Sequence, residues 1–144
     1  RWTRIGSGTS GKREHGMAVE QVLEKELLAN AGVATLVGTR IHPQVAPQGT
    51  AQPYVTYEMV SSNPQHDHSG AAGLWAVRLS YLCHAQTYAG AKAVAAAIRS
   101  ALDGRRGTIQ GEAVKGILES EEANAGWDEV TRLHVIAIDF LVWF

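Results

Sequence analysis

The sequence predicts an α+β fold: an antiparallel or mixed sheet of about four strands, packed by two helices, with a long loop between the first two strands. Three observations predict it. Apolar residues recur at helical spacing in two separate segments, with Val19, Val22, Leu23 and Leu27 in the first and Ala91, Val94, Ala95 and Ile98 in the second. Two further segments, Tyr54 to Val60 and Leu74 to His84, alternate with period two. The closing stretch, Thr131 to Phe144, is apolar on both faces, as a central strand requires. The resulting order of helix, strand, strand, helix, strand, strand suits helices laid on one side of an antiparallel sheet.

Residues 1–16 are rich in Gly and Ser, basic and without periodicity, the composition of a flexible arm ahead of a single domain over 17–144. Met17 follows directly, so the arm is compatible with an upstream translation start, a cloning remnant or a functional extension. The first helix spans Ala18 to Asn30, with Glu20, Gln21, Glu24 and Lys25 on its wet face; Asn30 and Gly32 stop it, and Val33 to Val37 adds a short helical turn. Pro43, Pro47 and Pro53 make the next segment extended and irregular.

In the first strand Val55, Tyr57 and Met59 share one face. The interval Ser61 to Gly73 consists of turn formers and reads as the long loop. In the second strand Trp75, Val77, Leu79, Tyr81 and Cys83 point inward, with Arg78, Ser80 and His84 outward. Thr87 caps the second helix, Asp103-Gly104 ends it, and its alanine-rich stripe lets it lie close to the sheet. Thr108 to Ala123 gives one or two strands, and Asn124 to Gly126 a turn into the closing strand. Of that strand's faces, one carries Leu133, Val135, Ala137, Leu141 and Trp143, the other Ile136, Ile138, Phe140, Val142 and Phe144.

Composition narrows the function. The formal net charge is −1, and since the arm contributes +3 the rest of the 144 residues carries −4. Such a body lacks the basic face that nucleic-acid binding needs. No apolar run is long enough to span a bilayer, and the first residues lack the apolar core of a signal peptide, so the sequence reads as soluble and intracellular. Cys83, the sole cysteine, has no intrachain partner and no metal-site spacing, and reads as a buried, inert thiol.

His66-Asp67-His68 places two imidazoles and a carboxylate in one turn, where they could ligate zinc or move a proton. His42, His84 and His134 lie on other elements, so further ligands are not evident and a polar loop is the plainer reading. His84 could act as a base, yet no Ser or Cys nucleophile motif accompanies it. Asp139, the one charge inside the closing strand, needs a partner in Arg78, Arg132 or a neighbouring subunit, or else faces water. GSGTSGK is not a phosphate loop: Lys12 is followed by Arg13 instead of Ser or Thr, and no strand precedes it.

The order and wording of the segments resemble the tail-completion proteins of long-tailed bacteriophages, the tail terminators or head-to-tail joining proteins. The resemblance covers Ala18 to Phe144 and rests on successive phrases: the helix leading into LVGTRIHPQVAPQG, then QPYVTYEMVSS, then GLWAVRLSYLCHAQTYAGAKAVAAAIRSALDG, and finally DFLVWF. It implies a structural virion protein at the neck, assembled in the host bacterial cytoplasm, with no enzymatic activity, cofactor or metal. The implied partners are its own copies in a ring, usually a hexamer, the major tail tube protein and the head-completion or stopper protein. DNA would pass through the lumen unbound, and no membrane is involved.

On that reading the loop Pro64, Gln65, His66, Asp67, His68, Ser69 and Gly70 is a candidate contact with a neighbouring subunit or the tail tube. Glu119, Glu121 and Glu122 are candidate lumen acids, with a solvated outer rim as the alternative, and Trp143 and Phe144 a candidate inter-subunit terminus. Open sheet edges would be removed by ring closure. The competing reading is a small soluble enzyme or ligand-binding α+β domain with a site near His66, His68 and His84.

Overall fold

The computed structural model describes residues 19–67 and 70–144, with side chains for all of these except 66, 67 and 70–73. Helix α1 runs through residues 19–29 and α2 through Ala31–Val37; strand β1 is Ile41–Pro43, β2 Tyr54–Asp67 and β3 Gly70–Ala85. Helix α3, Tyr88–Leu102, is followed by β4 (Gly107–Ile109), β5 (Glu112–Val114), β6 (Gly116–Asp128) and β7 (Leu133–Trp143). The main sheet has the order β1-β2-β3-β7-β6, and β4 and β5 form a separate two-stranded piece.

Among the described residues the fold class is α+β, with five strands in the main sheet instead of about four and three helices instead of two. The additional strand is β1, which pairs parallel to β2 through Ile41, His42 and Pro43 and makes the sheet mixed. Three residues ending on a proline carry too little periodicity to be read as a strand, and Pro43 is tolerated because β1 lies on the edge. The additional helix is α2. Asn30, expected to stop α1, also starts α2, its side chain accepting from Val33 N at 3.0 Å, and Gly38 at positive φ ends it.

β7 lies between β3 and β6, so the closing strand is central. Its two faces differ, however. Ile136, Ile138, Phe140, Val142 and Phe144 are buried beneath the helices, whereas Ala137, Asp139, Leu141 and Trp143 are only half-buried on a face that, among the described residues, has no helix over it. The helical face is completed by Val77, Leu79, Tyr81 and Cys83 of β3, the inward set expected there; Trp75 is half-buried against the same core. The bare face is closed at the base of the sheet only, where Leu133, Val135 and Tyr54 are buried and residues 46–50 share a cleft with Leu133.

Helix α3 begins at Thr87, whose side chain accepts from Gly90 N at 2.9 Å. Because this bond satisfies an amide that the helix cannot, Thr87→Ala should lower stability by about 1 kcal/mol in chemical denaturation, with Thr87→Ser close to native. The buried stripe Ala91, Val94, Ala95, Ile98, Ala101 and Leu102 follows the spacing read from the sequence.

Two further expectations are corrected. The turn placed at Asn124 to Gly126 lies inside β6, where a register shift absorbs those turn formers as a bulge with Gly126 at φ 101°, and the chain reverses at 129–132 instead. The long loop at Ser61 to Gly73 is largely strand: β2 continues to Asp67 and β3 begins at Gly70, paired from Ser61↔Arg78 to Asp67↔Gly70.

Candidate functional site

The hairpin of β2 and β3 outgrows the sheet that carries it. On one side β1 pairs with β2 only as far as Tyr57; on the other, β7 follows β3 as far as Ala76, and Phe144 exchanges backbone bonds with Trp75. Residues 65–67 and 70–74 therefore form a two-stranded ribbon with no neighbour in the sheet, and Asp67 stands roughly 10 Å past the last supported pair at ~3.4 Å per residue. A ribbon with no third strand beside it lacks the pairing that imposes a strand's alternation, and its sequence reads as turn residues. Pro64 and Gln65 sit where it leaves the body; His66, Asp67 and Gly70 lie on it as backbone, and His68 and Ser69 fall outside the described residues.

The three candidate acids of β6 are divided between the faces by a bulge at Glu119/Glu121. Glu119 and Glu122 turn to the helical side. Arg99 of α3 donates from Nε to Glu119 Oε1 at 2.6 Å and also pairs with Glu122, which Lys92 contacts in turn. The Lys92 ammonium, and then Arg99, hold the Glu122 carboxyl below its usual range despite partial burial. Glu121 aligns with Asp139 on the bare face and is exposed. Asp139 takes the first of its expected partners, Arg78, at 3.3 Å, and Arg78 also donates to Ser120 at 3.0 Å. At the terminus Phe144 belongs to the chain's own core and Trp143 lies half-buried on the bare face.

His66 and His84 do not converge. His84 pairs with Tyr54 at the base of the hairpin and His66 with Ala71 near its tip, twelve residues away along β2 and hence roughly 40 Å. His84 is packed instead of presented: it stacks on Tyr54 with ring centroids 4.4 Å apart, and its Nε2 is 3.1 Å from Thr56 Oγ1. Burial pushes its pKa down, with the Asp128 charge opposing. A histidine shifted this way binds protons more readily when unfolded, so its contribution is full above about pH 6.5 and is lost as pH falls below it. Melting temperature should therefore drop between pH 7 and 5, and His84→Gln should flatten that slope.

Among the described residues, no three His, Cys, Asp or Glu side chains stand close enough to hold a metal ion. Cys83 is fully buried, and burial raises its thiol to about 12, far from the thiolate a nucleophile needs. Within the core, Tyr57 donates to Glu24 of α1, while the Tyr81 hydroxyl nearby is buried with no partner.

Sequence reasoning passed over two features at the ends of the β6–β7 pair. One is the reversal carrying Glu129 and Val130; the other is a cleft lined by Arg105, Arg106, Lys115, Leu118 and Trp143. Arg105-Arg106 carried a signal, as adjacent cations beside a glycine turn, but Lys115 and Trp143 join them only through the fold.

The family model of tail completion protein gp17 matches residues 21–144. A solved chain described as "Virion of native gene transfer agent (GTA) particle" is similar at a TM-score of 0.63 and 26% identity, over 84% of this chain and 90% of that one. No curated protein matches.

Proposed function

We propose, from the premise that this chain belongs to the family of tail completion protein gp17, that it forms a ring that ends the tail tube and receives the head. Membership, together with the likeness to a virion chain, makes it a structural tail component of a phage-like particle. The finer reading is a closed ring of six subunits at the neck, seated on the major tail tube protein and offering its other surface to the head-completion or stopper protein.

The observation that carries this reading is the hairpin beyond Gln65, an arm that no third strand of the sheet supports. A projecting two-stranded ribbon offers backbone groups and side chains to a partner that a compact body could not reach. In the ring, the middle of the bare face, around Glu121 and Asp139, turns to the lumen. Of the three acids of β6, only Glu121 then faces passing DNA, and its negative charge avoids holding the phosphate backbone. The helix-side pair Glu119 and Glu122 belongs to the outer wall, bound to α3.

The role is one of shape and association, with no turnover. The alternative of a catalytic or ligand site at His66, His68 and His84 draws no support from geometry, since His66 and His84 stand at opposite ends of the hairpin. Negative-stain microscopy of the purified protein, alone and mixed with tail tubes, tests the proposal. Rings, or caps on tube ends, are expected. Variants with alanine at the three histidines should form them equally well, and protein that neither forms rings nor decorates tubes overturns the reading.

A further inference from the structure

A ring needs a lateral contact, and the sheet edges are poorly suited to be it. β2 carries a bulge at Met59/Ser61 and Pro64 further along, and β6 carries two bulges. The start of β6 is already occupied: Ile117 exchanges backbone bonds with Gly104 and Arg105, and Glu119 N donates to Asp103 Oδ1 at 2.8 Å. Bulges and edge prolines are devices that prevent strand addition.

Two other surfaces complement each other. At the β6–β7 reversal Val130 is 90% exposed beside exposed Glu129. The reversal is pinned, because Asp128 Oδ1 accepts from Val130 N at 2.9 Å and Thr131 N at 3.3 Å, and Arg132 N donates to the Asp128 carbonyl at 2.6 Å. A side chain presented on a pinned turn loses little freedom on docking. At the far end of the same strand pair lies a cleft of about 460 Å³ whose apolar part is the half-buried Trp143 and Leu118, 53% exposed. Arg105 is neutralised by Glu26 at 2.8 Å, but Arg106 and Lys115 have no acidic partner among the described residues, and Glu129 has no basic one.

We propose that the Glu129-Val130 tip of one subunit seats in the cleft of the next, Val130 against Leu118 and Trp143, Glu129 against Arg106 and Lys115. This rests on the ring reading above and names the contact that builds the ring. Tip and cleft are different patches, so every subunit uses one to hold the copy ahead and the other to hold the copy behind, the arrangement that closes when its rotation closes. Burying an exposed valine beside a paired charge supplies both attraction and register.

Charge exchange tests it by sedimentation velocity. Glu129→Lys and the double variant Arg106→Glu/Lys115→Glu should each associate at least roughly tenfold more weakly than wild type, with unchanged melting temperature. Mixed in equal amounts they should recover assembly, because each altered surface then meets its complement and each native surface meets a native one, giving alternating rings with an even number of subunits. Val130→Asp should weaken association without rescue by either variant. Single variants that assemble like wild type, or a mixture that fails to recover, overturn this contact while leaving the ring itself intact. Rings that form normally but lose duplex DNA retention in the cleft variant overturn it in favour of phosphate binding. Wild-type protein that stays monomeric at every concentration and beside tail tubes removes the ring reading and this contact together.

Discussion

Phe140→Ala should destabilise the fold by about 3–5 kcal/mol, a large part of the roughly 5–15 kcal/mol that holds a domain of this size together. Phe140 is fully buried on β7, aligned with Leu79 of β3 on one side and Glu119 of β6 on the other. Its ring meets Tyr81 edge to face at a centroid distance of 5.9 Å, and Tyr81 in turn lies 5.8 Å from Tyr57. Removing the ring therefore opens a cavity beneath the helices and strips one member from an aromatic chain crossing β2, β3 and β7. Urea unfolding at neutral pH measures the loss, and a change below about 1 kcal/mol would mean that the core repacks around the gap. Trp143→Ala, three residues along on the bare face, should cost less stability and act mainly on association.

Replacing residues 65–74 by Asn-Gly, so that Pro64 and Trp75 are joined by a two-residue reversal, should leave thermal unfolding within about 1 kcal/mol of wild type while abolishing attachment to tail tubes. The fold should survive because Pro64 and Trp75 are paired partners, the spacing such a turn closes, and because the pairing of Trp75 with Phe144 lies below the cut. Function should not survive, since the excised ribbon is the part of the chain that extends beyond the body. Complementation of a virion lacking this protein gives the readout: particles with joined heads and tails in normal yield would show that the arm is dispensable and that attachment lies elsewhere.

Much of the architecture was legible because the core writes a periodic pattern. The stripe of α3, the inward set of β3 and the central place of β7 all follow from spacing that a buried face imposes. Elements that bury little left no such trace. β1 is three residues long, and the hairpin beyond Gln65 has no third strand beside it. Asn124 to Gly126 misled for a related reason: residues that permit a reversal also permit a bulge, and only pairing with β7 decides between them. The candidate surfaces were partly readable. Pro64 and Gln65 stand where the ribbon leaves the body, His66, Asp67 and Gly70 lie along its backbone, and Asp139 met Arg78, but Glu119 and Glu122 proved to be bound to α3, a contact that no local pattern announces.

The blunted margins of β2 and β6 bear on timing. The ring subunit proposed above has to accumulate before a finished tail offers it a seat, and a crowd of identical sheets with naked borders would zip into fibres during that wait. Irregular strands and a proline at the rim disfavour that fibre route, leaving a specific contact between side-chain surfaces as the way copies meet.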